Sequence, residues 1–356
     1  MDYYNLSNYD FNLPENRIRK YPLLNRESSK LLVVDKKGNI IANTIFNQIV
    51  DFIEPNSLIV FNNSKVIKSR LFGIREKNNK IIEILIIKKL ESNLYLCLVK
   101  NKKSFKENEK IILIKDYNKE KDKFQISDLH IVIKGNKKEG LIISFNKELK
   151  IEEIENYGSI PVPPYLKRDA EKIDEIYYQN VFAKEKGSVA SPTAGLHFTE
   201  NLIEKLKEKF IDIAFITLHV GWGTFAPVRD EDIRRHIIHN EWFSIDKIAS
   251  EKINNAKKEN KKIIACGTTS LRALEGCYKE YGKIDNIEGE TSIFIYHPFQ
   301  FKIVDGLITN FHTPRSSLLL LVCAFAGYEN IKKYYSFALD NDYMFFSYGD
   351  AMFIIP

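Results

Sequence analysis

Residues 263–275 read IIACGTTSLRALE. Four apolar residues are too few for a helix turn to be worth burying, so 263–266 is predicted as a buried strand, and Gly267 breaks it. Thr268, Thr269 and Ser270 then open a helix that carries Arg272. Residues 211–225, IDIAFITLHVGWGTF, repeat the logic: an apolar strand runs into His219, Gly221, Trp222, Gly223 and Thr224. Just before it, 200–210 places Leu202, Ile203, Leu206 and Phe210 on one helical face. Strands are also predicted at 31–35 (LLVVD), 57–61 (SLIVF), 291–296 (TSIFIY) and 307–311 (LITNF), and helices at 246–260 and 316–326. Helices alternating with strands define an α/β class with a mixed sheet.

The texture changes between Lys65 and Lys150. IIEILII, LYLCLV, IILI, IVI and LIISF are short β-branched runs separated by polar clusters such as KNKKSFKENE. No helical period interrupts them, so a small all-β barrel or sandwich is predicted. The expected organisation is an α/β domain over 1–64 and 151–356, with a β-barrel domain inserted over 65–150. A chain of 356 residues is long enough for two cores. The insert holds 22 Lys and Arg against 11 Asp and Glu, a balance of +11; the remainder holds 31 against 36, or −5. That asymmetry fits a module facing a polyanion, and it equally fits a solvated surface in a Lys-rich chain.

Several classes are excluded. The four cysteines have no paired close spacing, so neither a disulfide framework nor a four-thiolate zinc site fits, and a reducing cytoplasm is expected. The opening MDYYNLSNYDFNLPEN is unlike a secretory signal, and the apolar run 318–327 is too short to span a bilayer. There is no GxxxxGK[ST], GxGxxG or GxSxG, which argues against a P-loop NTPase, a dinucleotide-binding unit and an α/β-hydrolase.

Ligands of α/β domains bind where strands end, so the polar residues there carry the functional reading. Gly221 and Gly223 allow close backbone approach and Thr224 offers a hydroxyl; Gly267, Thr268 and Thr269 place amides at a helix start, which favours an anion. His312 follows the 307–311 strand. The segment 187–199, GSVASPTAGLHFT, suits a binding loop through Ser188, Ser191, Thr193, Gly195, His197 and Thr199. In FFSYGDAMF, Tyr348 and Asp350 are wedged among apolar residues, where a carboxylate is either paired or used. His236 and His239 have HxxH spacing with Glu241 close by, which on a helix would offer a metal site.

Taken together, YDFNLPENRIRKYPLLNRESSKLLVV, VFNNSKVIKSRL, SVASPTAGLHFT, TLHVGWGTFAPV, HNEWF, CGTTSLRALE, VDGLITNFHTPRSSLLLLVCAFAG and FFSYGDAM resemble the S-adenosylmethionine:tRNA ribosyltransferase-isomerases of bacterial queuosine biosynthesis. The resemblance implies an α/β domain with an inserted β-barrel. It implies transfer and isomerisation of the ribosyl moiety of S-adenosylmethionine onto 7-aminomethyl-7-deazaguanine at the tRNA wobble position, giving epoxyqueuosine, adenine and methionine.

On that reading His197, His219, His312 and Asp350 are the catalytic candidates. Thr193, Gly195, Gly221, Gly223, Thr224, Gly267, Thr268, Thr269, Arg272 and Tyr348 would bind substrate, with Thr268, Thr269 and Arg272 on the methionine carboxylate. No metal and no resident cofactor are expected, S-adenosylmethionine being consumed. The partners are tRNA and S-adenosylmethionine, without a membrane, and the chain is expected to be a monomer. The alternatives are a metal-dependent hydrolase on His236 and His239, or a tRNA-binding protein without catalysis. The chain departs from the family pattern at Trp222, where a small or aliphatic residue is usual, in HTPRSS, and in IYHPF.

Overall fold

The computed structural model describes residues 2–118, 121–225 and 228–356. A nine-stranded mixed sheet runs from edge to edge as Ile287–Thr291, Glu241–Ile245, Asp212–Leu218, Leu58–Asn62, Ile263–Cys266, Gly306–Asn310, Ala351–Ile354, Lys30–Val34 and Ile40–Ile45. Its centre is parallel: Leu58–Asn62 pairs in parallel with both Asp212–Leu218 and Ile263–Cys266, and the latter with Gly306–Asn310. Antiparallel strands flank it on both sides.

The apolar runs explain this centre. In Leu58–Asn62 every residue is buried, with Leu58 and Val60 in one core and Ile59 and Phe61 in the other. Successive side chains of a strand point to opposite faces, so a continuous apolar run requires cover on both. Thr268–Tyr281 and Lys247–Lys258 pack into the first core, and Glu200–Glu208 into the second, presenting Leu202, Ile203 and Leu206.

A separate antiparallel sheet uses Gly158–Ser159, Arg70–Arg75, Ile81–Glu91, Leu94–Val99, Leu141–Phe145, Lys123–Asn136 and Lys110–Asn118, in that order. Arg70–Arg75 also pairs with Lys110–Asn118, so six of the strands are hydrogen-bonded in a continuous cycle around their own core of Leu71, Ile84, Cys97, Leu113, Ile131 and Ile143.

Two local expectations are corrected. The strand predicted at 291–296 lies earlier, over Ile287–Thr291, because its pairing partner Glu241–Ile245 ends there in register with Thr291. The 236–239 segment is no helix: a three-residue turn, Ile233–Arg235, gives way to irregular chain before the Glu241 strand. His236 and His239 therefore share no helical face.

Candidate active site

The carboxyl ends of the parallel strands converge on one pocket. Ile263–Cys266 delivers Gly267, Thr268 and Thr269; Gly306–Asn310 delivers Asn310, Phe311 and His312; Asp212–Leu218 leads to Val220. The 187–199 loop adds Ser191 and Thr193, and Tyr165, Phe346 and Ser347 close the other wall.

Gly267 sits at φ +91°, ψ 150°, a region that L side chains rarely enter, and its N–H donates to the Ile308 carbonyl at 2.8 Å. The turn thus aims the start of the Thr268–Tyr281 helix into the pocket. The first amides of a helix have no partner within it. The hydroxyls of Thr269 and Ser191 are buried without a hydrogen-bond partner among the described residues. Buried hydroxyls without partners and helix-start amides lining one pocket are the kind of groups that receive a carboxylate or similar anion. Alanine at Gly267 is expected to destabilise the fold by about 1–3 kcal/mol through backbone strain, read as a lowered urea midpoint; an unchanged midpoint would show that the turn relaxes freely.

His312 is buried on the pocket wall. Its Nε2 lies 2.9 Å from Thr309 Oγ1, which also reaches the Asn310 carbonyl at 3.3 Å. With Thr309 donating to that carbonyl, Nε2 carries the imidazole proton and Nδ1 is the basic nitrogen. Burial pushes the His312 pKa down to about 3, so the ring is neutral at pH 7.

Asn310 connects the pocket to a second imidazole. Its amide nitrogen donates to the Phe346 carbonyl at 3.1 Å and lies 3.2 Å from His197 Nε2, while its oxygen accepts from Thr193 at 3.2 Å. His197 Nδ1 lies 2.8 Å from Ser29 Oγ, and the ring stacks on Phe46. Burial, aided by Arg19 and Arg26, holds its pKa near about 3. His197 therefore stands behind Asn310, facing a shallow groove shared with Arg19, Arg26 and Tyr348.

The structure distributes the other candidates more widely. Thr193, Gly267, Thr268, Thr269 and His312 line the pocket; His197, His219, Asp350, Gly195, Gly221, Gly223, Arg272 and Tyr348 do not. His219 Nδ1 meets Ser64 Oγ at 2.7 Å and its ring stacks on Trp242, with burial lowering its pKa to about 4. Gly187 lets that ring in: a Cβ there would stand 2.5 Å from His219 Nε2. Gly195 likewise makes room for the Asn180 side chain, and Gly223 for His239.

Asp350 accepts the N–H groups of Lys30 and Met344 at 3.0 and 2.7 Å and faces Arg19 at 3.4 Å. Burial lifts its carboxyl above the ordinary range against the pull of Arg19. It ties the 344–350 loop to the Lys30 strand. Tyr348 donates to Asp174, itself gripped by Arg168 through two bonds of 2.7 Å. The Thr224 side chain lies outside the described residues.

Arg272 pairs through Nη1 with Glu241, both side chains being buried, and Glu241 Oε1 accepts the Gly221 N–H at 3.0 Å. Arg272 Nε and Nη2 have no hydrogen-bond partner among the described residues. Glu241, which the spacing offered as a metal ligand, is instead this clamp, and no cluster of three or more His, Cys, Asp or Glu that could hold a metal occurs among the described residues.

Sequence reasoning missed Asn310, Tyr165 and Ser347, and it named Ser191 in the 187–199 loop without carrying it into the substrate-binding set. Asn310 was detectable, being a buried amide at the end of the apolar run LITNF. Tyr165 comes from a short 3-10 turn, Pro164–Leu166, distant in sequence, and Ser347 precedes Tyr348 in FFSYGDAMF, where the tyrosine and aspartate stood out instead.

A pocket at the carboxyl ends of parallel strands is where α/β proteins usually take their ligands. The family model described as "Queuosine biosynthesis protein" matches residues 6–354. An S-adenosylmethionine:tRNA ribosyltransferase-isomerase of Sulfurihydrogenibium sp. (strain YO3AOP1) is 46% identical over 98% of this chain and 99% of its own length. One of Aquifex aeolicus (strain VF5) is 43% identical over 98% and 99%. The crystal structure of S-adenosylmethionine tRNA ribosyltransferase from Thermotoga maritima, 32% identical, covers 98% of this chain and 100% of its own, with a TM-score of 0.55. The chain belongs to the queuosine biosynthesis protein family.

Proposed function

We propose that this chain transfers and isomerises the ribosyl moiety of S-adenosylmethionine onto 7-aminomethyl-7-deazaguanine at the tRNA wobble position. The products are epoxyqueuosine-tRNA, adenine and methionine. Family membership along nearly the whole chain carries the reaction. The observation that carries the site is the pair of unpaired buried hydroxyls, Ser191 and Thr269, beside the helix start at Thr268.

On this reading the amides at Thr268 and Thr269, with the two hydroxyls, hold the methionine carboxylate. The reaction needs a base for the proton next to the sulfonium and a donor for departing adenine. His312, neutral and on the pocket wall, is the group suited to accept a proton at Nδ1. His197 acts through Asn310, whose amide it orients, and His219 positions the 219–223 turn. S-adenosylmethionine is consumed, and the protein's own residues need no resident cofactor for this chemistry.

The closed cycle of six strands is read as the small β-barrel, inserted over 65–150 into an α/β catalytic domain of 1–64 and 151–356. Its excess of lysine suits the tRNA backbone, and on the same reading the chain works as a monomer in the cytoplasm, a reading that a tRNA substrate supports for the compartment alone. No helix among the described residues is long and apolar enough to cross a membrane.

Adenine release tests the reaction. Incubated with S-adenosylmethionine and tRNA bearing 7-aminomethyl-7-deazaguanine, the protein is expected to release adenine and methionine in equal amounts, and none with guanine-bearing tRNA. A folded, tRNA-binding protein that releases no adenine would leave tRNA binding as its function.

A further inference from the structure

A groove of about 700 Å³ lies between the antiparallel sheet and the turn that carries Trp222. Its floor is apolar, built from Ile81, Ile82, Leu98 and Val99, and its far wall is Trp222, half-buried. Its charges divide into two groups. Arg75 is neutralised by Glu109 at 2.6 Å, and Glu83 by Arg70 at 3.1 Å. Lys80 and Lys100 stand exposed on the rim without an ion-pair partner among the described residues, as do Lys77, Lys103 and Lys106 nearby. The residual charge of the groove is therefore cationic, over an apolar floor.

None of the residues lining this groove lines the pocket at Thr268 and His312. Trp222 is thus placed away from the small-molecule pocket, which argues against stacking on the adenine of S-adenosylmethionine. The separation is nonetheless short. Val220 lines the pocket and Trp222 the groove, and two residues of chain span at most about 7 Å. Gly221 between them donates its N–H to Glu241 at 3.0 Å, which ties the turn joining the two sites to the main sheet. A polymer bound at the pocket therefore passes close to the groove.

We infer that the groove takes an unpaired nucleotide of the RNA substrate adjacent to the one being modified, its base stacked on Trp222 and its phosphates between Lys80 and Lys100. The inference rests on the reading that tRNA is the substrate. Flat apolar faces against an aromatic ring, with lysines along the backbone path, are how single strands are held without reading their sequence. A protein partner would leave the unpaired lysines facing an acidic surface, and a double helix has no unstacked base to offer Trp222.

The test is a titration of the full chain with an unmodified anticodon stem-loop RNA, read by tryptophan emission. The wild type is expected to show quenching on binding. Trp222→Leu should lose most of the quenching and bind about 5- to 150-fold more weakly, the range expected of one stacked base. Lys80→Gln with Lys100→Gln, both on the exposed rim, should weaken binding and lower the slope of log affinity against log salt by about one per lysine.

In turnover assays the same variants should raise KM for tRNA and leave KM for S-adenosylmethionine unchanged. Retained quenching with unchanged affinity in Trp222→Leu would overturn the inference. So would a rise in KM for S-adenosylmethionine with RNA affinity intact, since Trp222 would then serve the small substrate. The two readings fail separately: RNA binding lost on Trp222→Leu in a protein that releases no adenine sinks the ribosyl transfer and keeps the groove.

Discussion

Replacing Glu241 with alanine is expected to destabilise the protein by about 3–5 kcal/mol, the usual cost of stranding one partner of a buried ion pair. Both side chains are all but inaccessible, at 6% exposed for Arg272 and 4% for Glu241. With Glu241 gone, the guanidinium, whose Nε and Nη2 already lack partners, would lose its counter-charge as well. Arg272→Met in the same chain removes the stranded charge. The double variant is therefore expected to lose less than the sum of the two single losses, by at least about 1 kcal/mol.

Urea midpoints of the four proteins read that coupling, and strictly additive losses would show that the pair does not act as a unit. Activity separates the two jobs of the cluster. Glu241 also holds the Gly221 amide, so turnover should stay low in the double variant even where stability recovers.

This clamp also marks the limit of what the sequence could tell. The parallel centre of the main sheet was legible because its strands are continuous apolar runs, and a run buried on both faces has few other solutions. The Gly267 turn was legible for a related reason: glycine followed by two threonines at a strand end predicts a turn and a helix start, and a positive φ is what the turn required. Glu241 was seen, but as a neighbour of His236 and His239, because spacing reports only local geometry. Its true partner lies 31 residues away on a helix across the sheet.

The histidines teach the same lesson. His197, His219 and His312 all follow apolar segments, and all three are buried or nearly so, yet only His312 reaches the pocket. The other two are hidden behind Asn310 and against Ser64 and Trp242, arrangements that depend on three or more chain segments meeting. Pattern can find the strand end at which a polar residue sits. Whether the side chain then faces ligand or braces a neighbour is decided by packing between segments distant in sequence, here Ser29 and Phe46 against His197.

Those buried imidazoles make stability steeply dependent on acid. At pH 7 His197 and His312 are neutral in the folded chain and about three-quarters neutral in the unfolded one, so they contribute only a shallow pH dependence there. In the unfolded chain each titrates near 6.5, whereas burial holds each at about 3 in the fold. Below pH 6.5 the unfolded state therefore binds protons that the folded state refuses, and stability falls with pH by about 1.4 kcal/mol per unit for each ring. At pH 5 the two together remove about 4 kcal/mol, a large part of the 5–15 kcal/mol typical of a domain. The fall continues until the folded rings accept protons near pH 3.

Asp350 works in the opposite sense: burial raises its carboxyl, so as pH falls the folded state takes up that proton before the unfolded one and offsets part of the loss. Urea midpoints measured from pH 7.5 to 4.5 should accordingly drop steeply below 6.5. His197→Gln, which keeps a partner for Ser29 and Asn310, should cost some stability at pH 7 and remove about half of the slope. A midpoint that stays flat from pH 6.5 to 5 in the wild type would mean that these rings gain protons without leaving the core, and that the contacts to Thr309 and Asn310 survive their charging.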